Sequence, residues 1–271
     1  MISNKIFAEC HTHRLAGMNP LITAEELAVL LRGEAPVVLC ASMGPNPPTR
    51  GIPGSFPADL EGDFSDPANP LPHTAPDDLT GLFESYGVSD GTPVVVYDDQ
   101  AGASAPRVWW LAKAAGVDAR VLDGGLNAWL AAGGSAAELA RPAARGSLTA
   151  VPRPHLLLDA DRVTAGGRLV VDARSAGRFT GAEPEPRPGL RAGHIPGSVN
   201  LPYTRVYDGA GRLRPEKELR EMFREVAGGE RALTFSCGSG VTACVTALAA
   251  TVAGYRDLAV YEGSWAEWGR A

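Results

Sequence analysis

Cys237 is the residue of this 271-residue chain best set for nucleophilic chemistry. It follows the apolar run Leu233-Thr234-Phe235-Ser236 and opens the stretch Gly238-Ser239-Gly240-Val241-Thr242-Ala243. The run reads as a buried strand, Gly238 and Gly240 free the backbone behind it, and Thr242 is placed to cap a helix beginning near Ala243. A strand–loop–helix turn of that kind aims successive backbone N–H groups and a helix N-terminus at the sulfur. Those dipoles favour the thiolate, the nucleophilic form of cysteine. An inert buried cysteine needs no glycine-rich cradle. Ser239, inside the same loop, is able to hydrogen-bond a substrate. The reacting groups read from this segment are therefore Cys237 and Ser239, with Gly238, Gly240, Val241 and Thr242 lining the bound substrate.

The elements that must carry this loop are legible as one half of a duplication. Pro36-Val37-Val38-Leu39-Cys40-Ala41 is similar to Leu169-Val170-Val171-Asp172-Ala173-Arg174, and Gly51-Ile52-Pro53-Gly54-Ser55 to His194-Ile195-Pro196-Gly197-Ser198. Val94 to Asp99 is similar to Ala232 to Cys237, and Asp123-Gly124-Gly125-Leu126-Asn127-Ala128-Trp129 to Glu262-Gly263-Ser264-Trp265-Ala266-Glu267-Trp268. The offset stays near 140 residues in the later motifs. Within each copy, short Val/Leu-rich strands alternate with helical stretches. One helix begins at the capping-box pattern Thr23-Ala24-Glu25-Glu26 and another runs from Arg107 to Ala115. Continuous apolar strands between helices imply an α/β fold with a mainly parallel sheet covered on both faces. The reactive site of such a sheet lies beyond the carboxyl ends of its strands, where Cys237 falls.

Composition narrows the class. Hydrophobic residues make up 45% and charged residues 21%, as in packed globular domains. A formal net charge of −6 argues against nucleic acid or an anionic membrane as partner. The four cysteines do not make a disulfide framework at this length, and neither a signal peptide nor a membrane span is apparent, so a cytoplasmic setting is expected. Residues 1–18 read as a leader without structure. Its Cys10-His11-Thr12-His13 lacks a four-ligand set, so no metal and no cofactor are expected.

Taken together, the paired strands, His194-Ile195-Pro196-Gly197, the six-residue loop from Cys237 to Thr242 and Gly263-Ser264-Trp265-Ala266-Glu267-Trp268 resemble the tandem rhodanese family of sulfurtransferases from about Leu21 to Arg270. The resemblance implies two tandem rhodanese-like domains. Residues 19–134 would form one without a catalytic cysteine, 135–154 a linker, and 155–271 the catalytic one. The loop Cys-Gly-Ser-Gly-Val-Thr is similar to the 3-mercaptopyruvate branch, whereas the thiosulfate branch typically has two basic residues where Gly238 and Ser239 stand. A neutral Gly-Ser pair suits a thiol or ketone better than a dianion. By the same resemblance Arg178 and Arg187 hold the carboxylate of a 2-oxo acid, a task that suits the planar guanidinium fork. The implied cycle takes a sulfur from 3-mercaptopyruvate onto Cys237 as a persulfide and hands it to a thiol acceptor such as thioredoxin, or to cyanide in an assay. Thiosulfate is the alternative donor.

Other expectations follow from single positions. Asp172 and Arg174 should brace the loop, and His194 should make a structural hydrogen bond. Cys244, seven residues beyond Cys237, should lie about two turns into the helix, buried. Trp109 and Trp110 should be core. In the first copy Asp99 stands for Cys237, and Cys40 and Ser42 for Asp172 and Arg174, so that copy should only shape a wall of the cleft. A Cys-based phosphatase would need an arginine where this chain has Ala243. A non-enzymatic sulfur carrier or regulatory module is the rival from another class, and the intact Cys237 loop argues against it. The family's proposed Ser–His–Asp proton relay draws its histidine from the first domain's His-Ile-Pro-Gly turn. Here that turn begins with Gly51, and no acid lies between Cys40 and Gly51. The relay is therefore expected to be absent and turnover at neutral pH slow, with donor deprotonation left to solvent or to the Cys237 thiolate itself.

Overall fold

The structure is a computed structural model that describes residues 19–33, 36–229 and 231–270. The expected leader and the Cys10-to-His13 cluster lie outside the described residues. The first copy runs β1 (Leu21–Ile22), α1 (Ala24–Gly33), β2 (Val37–Ser42), β3 (Arg50–Gly51), β4 (Phe56–Asp59), α2 (Leu79–Ser85), β5 (Val94–Asp98), α3 (Ala105–Ala114), β6 (Ala119–Leu122), α4 (Gly125–Ala131) and β7 (Ala137–Glu138). The second runs β8 (Leu157–Leu158), α5 (Ala160–Thr164), β9 (Leu169–Asp172), α6 (Ala176–Thr180), β10 (Val199–Asn200), α7 (Glu216–Ala227), β11 (Leu233–Ser236), α8 (Ala243–Val252), β12 (Leu258–Tyr261) and α9 (Ser264–Trp268). The five-stranded sheets are ordered β1-β6-β5-β2-β4 and β8-β12-β11-β9-β10, parallel throughout. Strand for strand this is one topology used twice.

Local chemistry sets the elements. Thr23 and Glu26 form the expected capping box at α1: the Thr23 amide donates to Glu26 Oε2 at 2.9 Å and the Glu26 amide to Thr23 Oγ1 at 3.2 Å. Along β2 and β5 alternate residues face opposite cores. Val37, Leu39, Ala41, Val94 and Val96 enter one cluster, while Val38, Cys40, Val95 and Tyr97 enter another. The first of these clusters also takes Val171, Leu233, Phe235 and Val260 of the second sheet, so the two copies share one core. Helices α3 and α8 pack against each other inside it. Both are buried on nearly every side, which accounts for their lack of a polar face. Trp109 and Trp110 of α3 share this core with an alanine-rich α8 (Ala247, Ala249, Ala250).

The stretch expected as a linker is anchored along the first copy. Strand β7 pairs antiparallel with β3. Farther on, the Leu148 amide donates to Glu84 Oε1 at 2.9 Å and the Thr149 hydroxyl to Asp90 Oδ2 at 2.7 Å.

Gly51 shows why the first copy has no histidine at that turn. A Cβ there would stand 2.0 Å from Tyr97 Oη, which accepts the Ile52 amide at 2.8 Å and shares a hydrogen bond with Ser55 Oγ at 2.7 Å. Any side chain must displace a buried tyrosine. Gly51→Ala is expected to destabilise the fold by about 1–3 kcal/mol, read as a lower Tm in thermal unfolding.

Candidate functional site

Strand β11, central in the second sheet, delivers Cys237 to its carboxyl end, and the loop from Gly238 to Thr242 leads into α8. Among the described residues no protein acceptor takes the amides of Gly238, Ser239, Gly240 or Val241. The loop is pinned through its other groups. Cys237 donates its amide to Ser264 Oγ at 3.1 Å, and its carbonyl accepts from the Trp265 amide at 3.0 Å. The Gly238 carbonyl accepts from the Ala266 amide at 2.8 Å. Gly240 needs its positive φ of 75°, and a Cβ there would lie 2.9 Å from the Glu262 carbonyl oxygen. The 262–266 segment thus clamps the loop from below and leaves a row of N–H donors for an anion.

Thr242 is the residue before α8 but does not cap it with its side chain. Its backbone is already helical (φ −70°, ψ −14°), whereas side-chain capping works from extended geometry. Val241 is 1% exposed and packs in the shared core. Cys244 is the second residue of α8, in its first turn rather than two turns in. Its thiol donates to the Gly240 carbonyl at 3.3 Å, and burial pushes its pKa up to about 12 despite the nearby Arg107 cation.

Arg178 and Arg187 both reach Gly238: a Cβ there would lie 3.2 Å from Arg178 Nη2 and 3.5 Å from Arg187 Nη1. Arg178 is held by the buried carboxylate of Glu185 at 2.6 Å, which also takes Arg174 at 2.7 Å. Arg187 donates to Ser239 Oγ at 3.3 Å and pairs with no carboxylate among the described residues. Arg174 binds Asp172 through three contacts of 2.6–3.1 Å and lies over the Trp265 ring at 4.4 Å, so this pair braces the loop's support. His194 is outside the site. Its Nδ1 bonds the Phe179 carbonyl at 2.9 Å and its ring stacks on Phe179 at 4.0 Å.

The first copy contributes a residue that sequence reasoning missed. His73 enters from the segment between β4 and α2, and its Nδ1 lies 2.9 Å from Ser239 Oγ. Its Nε2 lies 3.1 Å from Glu61 Oε1. Because Glu61 can only accept, the neutral ring carries its proton on Nε2 and presents a lone pair to the Ser239 hydroxyl. Burial holds the His73 pKa below its ordinary value, and the Arg187 and Arg107 cations push the same way against Glu61. A proton relay expected to be absent is therefore assembled from other positions, Ser239, His73 and Glu61. Three of the five histidines, His73, His155 and His194, lie within two residues of a proline, so that feature does not single His73 out. No local motif marks His73.

The first copy's own cradle differs from the expectation that placed Asp99 at the Cys237 position. Tyr97 pairs opposite Cys40 as Ser236 pairs opposite Asp172, so the counterpart of Cys237 is Asp98, not Asp99. The loop from Asp98 to α3 is one residue longer than that from Cys237 to α8, which displaced the sequence match. Asp98 fills its cradle itself. Its Oδ1 accepts from the Gln100 and Gly102 amides at 3.0 and 2.8 Å, and Oδ2 from the Ser104 and Ala105 amides at 3.0 and 2.7 Å.

With this geometry in hand, comparisons place the chain. The rhodanese-like domain family matches residues 49–132 and 157–271. The 3-mercaptopyruvate sulfurtransferase of Mus musculus is 40% identical over 234 residues, covering 81% of this chain and 77% of its own. That of Escherichia coli strain K12 is 36% identical over 227 residues, covering 80% of each. The crystal structure of SseA from Escherichia coli, described as showing the rhodanese fold of these enzymes, superposes with a TM-score of 0.79 at 30% identity over 92% of this chain and all of the other. Two copies of one parallel sheet, with the cysteine cradle kept in the second alone, make this chain a member of the tandem rhodanese-like domain family.

Proposed function

We propose that the protein is a 3-mercaptopyruvate sulfurtransferase. The observation that carries the choice of donor is the contact between His73 and Ser239. Thiosulfate has no proton on its transferable sulfur and gains nothing from a base. A thiol donor does, and His73 is a neutral, oriented acceptor one hydroxyl away from the cradle. Homologues bearing the 3-mercaptopyruvate name support the same reading.

In this mechanism the donor carboxylate lies against Arg187 and Arg178, its ketone toward the loop. The Cys237 thiolate attacks the donor sulfur; an S–S bond forms, and the C–S bond breaks with its electron pair passing to the enolate of pyruvate. The thiol proton moves through Ser239 to His73 and returns to the enolate carbon, so the products are pyruvate and a Cys237 persulfide. The loop amides hold the persulfide anion. A thiol acceptor, thioredoxin or a small dithiol, then takes the outer sulfur and restores the thiolate. Thr242 and Val241 shape the loop rather than touch the donor. Among the described residues no helix is long and apolar enough to cross a membrane.

Three measurements test the assignment. After incubation with 3-mercaptopyruvate, mass spectrometry should find one added sulfur on Cys237, and Cys237→Ser should show neither adduct nor turnover; an active serine variant overturns the mechanism. Arg187→Leu should lose on the order of 2 kcal/mol in kcat/KM for 3-mercaptopyruvate, the worth of charged hydrogen bonds to a carboxylate. Finally, a depressed His73 pKa leaves the base neutral at pH 7, so kcat/KM for 3-mercaptopyruvate should fall only as pH drops below about 6.5. That limb should vanish in His73→Ala while thiosulfate use with cyanide as acceptor stays near parental; equal losses for both donors would remove the case for a base.

A further inference from the structure

His73 is held in an uncommon backbone state. Its φ is +61°, a left-handed conformation that side chains rarely adopt and that surrounding structure must enforce. Two groups do so. The His73 carbonyl accepts from Arg107 Nη2 at 2.7 Å, and two residues on the Ala75 amide donates to Glu262 Oε2 at 2.9 Å. Arg107 and Glu262 are themselves an ion pair at 2.7 Å. Arg107 comes from α3 of the first copy, and Glu262 from the second copy's segment that clamps the Cys237 loop.

Arg107 is fully buried, and its Nε and Nη1 have no hydrogen-bond partner. Nη1 lies 3.8 Å from where a Gly240 Cβ would be. An ion pair with one fully buried, half-satisfied partner is a poor source of stability, and well-packed apolar residues commonly do as well. What this pair does contribute is position. It bonds the histidine's turn on one side while the Glu262 backbone abuts the nucleophile's loop on the other.

We propose that Arg107 and Glu262 are positioning residues for proton transfer, fixing the His73 turn so that the ring meets Ser239. The inference rests on His73 acting as the base, as argued above. The groups facing His73 from the packed elements are Ser239, Glu61, Arg187 and Arg107. Neither Arg107 nor Glu262 touches the donor, and their removal acts through the histidine.

Single-turnover kinetics on the full chain separates positioning from general stability. Sulfur loading of Cys237 from 3-mercaptopyruvate requires removal of a thiol proton; discharge of preloaded persulfide to cyanide does not. With donor or cyanide in large excess both are pseudo-first-order rate constants and do not depend on the fraction of enzyme that is folded. Arg107→Met and Glu262→Ala should each slow loading tenfold or more relative to discharge and erase the acidic limb of loading. Glu262→Gln keeps an acceptor for the Ala75 amide and should recover most of the loading rate. Should Arg107→Met fail to fold, the two Glu262 variants carry the test. A loading-to-discharge ratio within twofold of parental in Glu262→Ala overturns the proposal. His73→Ala distinguishes the two levels: a normal ratio in that variant removes the base itself, whereas a low ratio there with a normal one in Glu262→Ala removes only the positioning role.

Discussion

The Arg107–Glu262 ion pair at the seam between the copies is the contact on which the site's assembly depends. The Cys237 loop belongs to one copy and His73 to the other, so their registration is only as good as the seam. Apolar packing of α3 on α8 joins the halves strongly but without direction. The charged pair supplies the direction: its members separately hydrogen-bond the His73 carbonyl and the Ala75 amide, tying them to the segment that also clamps Cys237 and Gly238. A small sliding of one sheet against the other would be tolerated by apolar packing but not by a 2.9 Å contact between His73 and Ser239.

Duplication made such an arrangement accessible. Each copy presents a strand–loop–helix cradle at the same place in its sheet, and each cradle is covered by the other copy. His73 and its turn cover the second cradle. Over the first, Tyr207 donates to the Gly102 carbonyl at 2.8 Å and the Leu213 amide to Asp123 at 2.9 Å. The first cradle has been closed from within, its amides spent on the fixed carboxylate of Asp98. The second keeps its amides for an anion that forms and departs. One topology thus yields a structural brace and a reactive centre, the difference being whether the negative charge is permanent.

Charge around the second cradle is arranged for a singly charged donor. Glu185 offsets much of the Arg178 and Arg174 charge, and Asp172 takes the rest of Arg174. Arg187 is left to address a carboxylate while also contacting Ser239. The neutral Gly238 and Ser239 leave room for a hydroxyl to take part in proton transfer. Basic side chains at those two loop positions would crowd that route.

The amino-acid sequence alone determined the duplication, the α/β class, the parallel sheets and the identity of the nucleophile. Each of these is written in local periods and spacings: apolar runs of strand length, a capping box at Thr23, glycines flanking Ser239. It also placed Arg178 and Arg187 near the site through family resemblance. It misplaced what depends on counting through loops, reading Asp99 for Asp98 because a one-residue insertion is invisible without the strand register. It could not reveal the base. His73 and Ser239 are 166 residues apart and belong to different copies, and no local pattern ties a histidine in a proline-rich segment to a serine in a distant cradle. Only the tertiary structure decided that contact, because it arises from the packing of two sheets about α3 and α8 and from the Arg107–Glu262 ion pair that sets their registration.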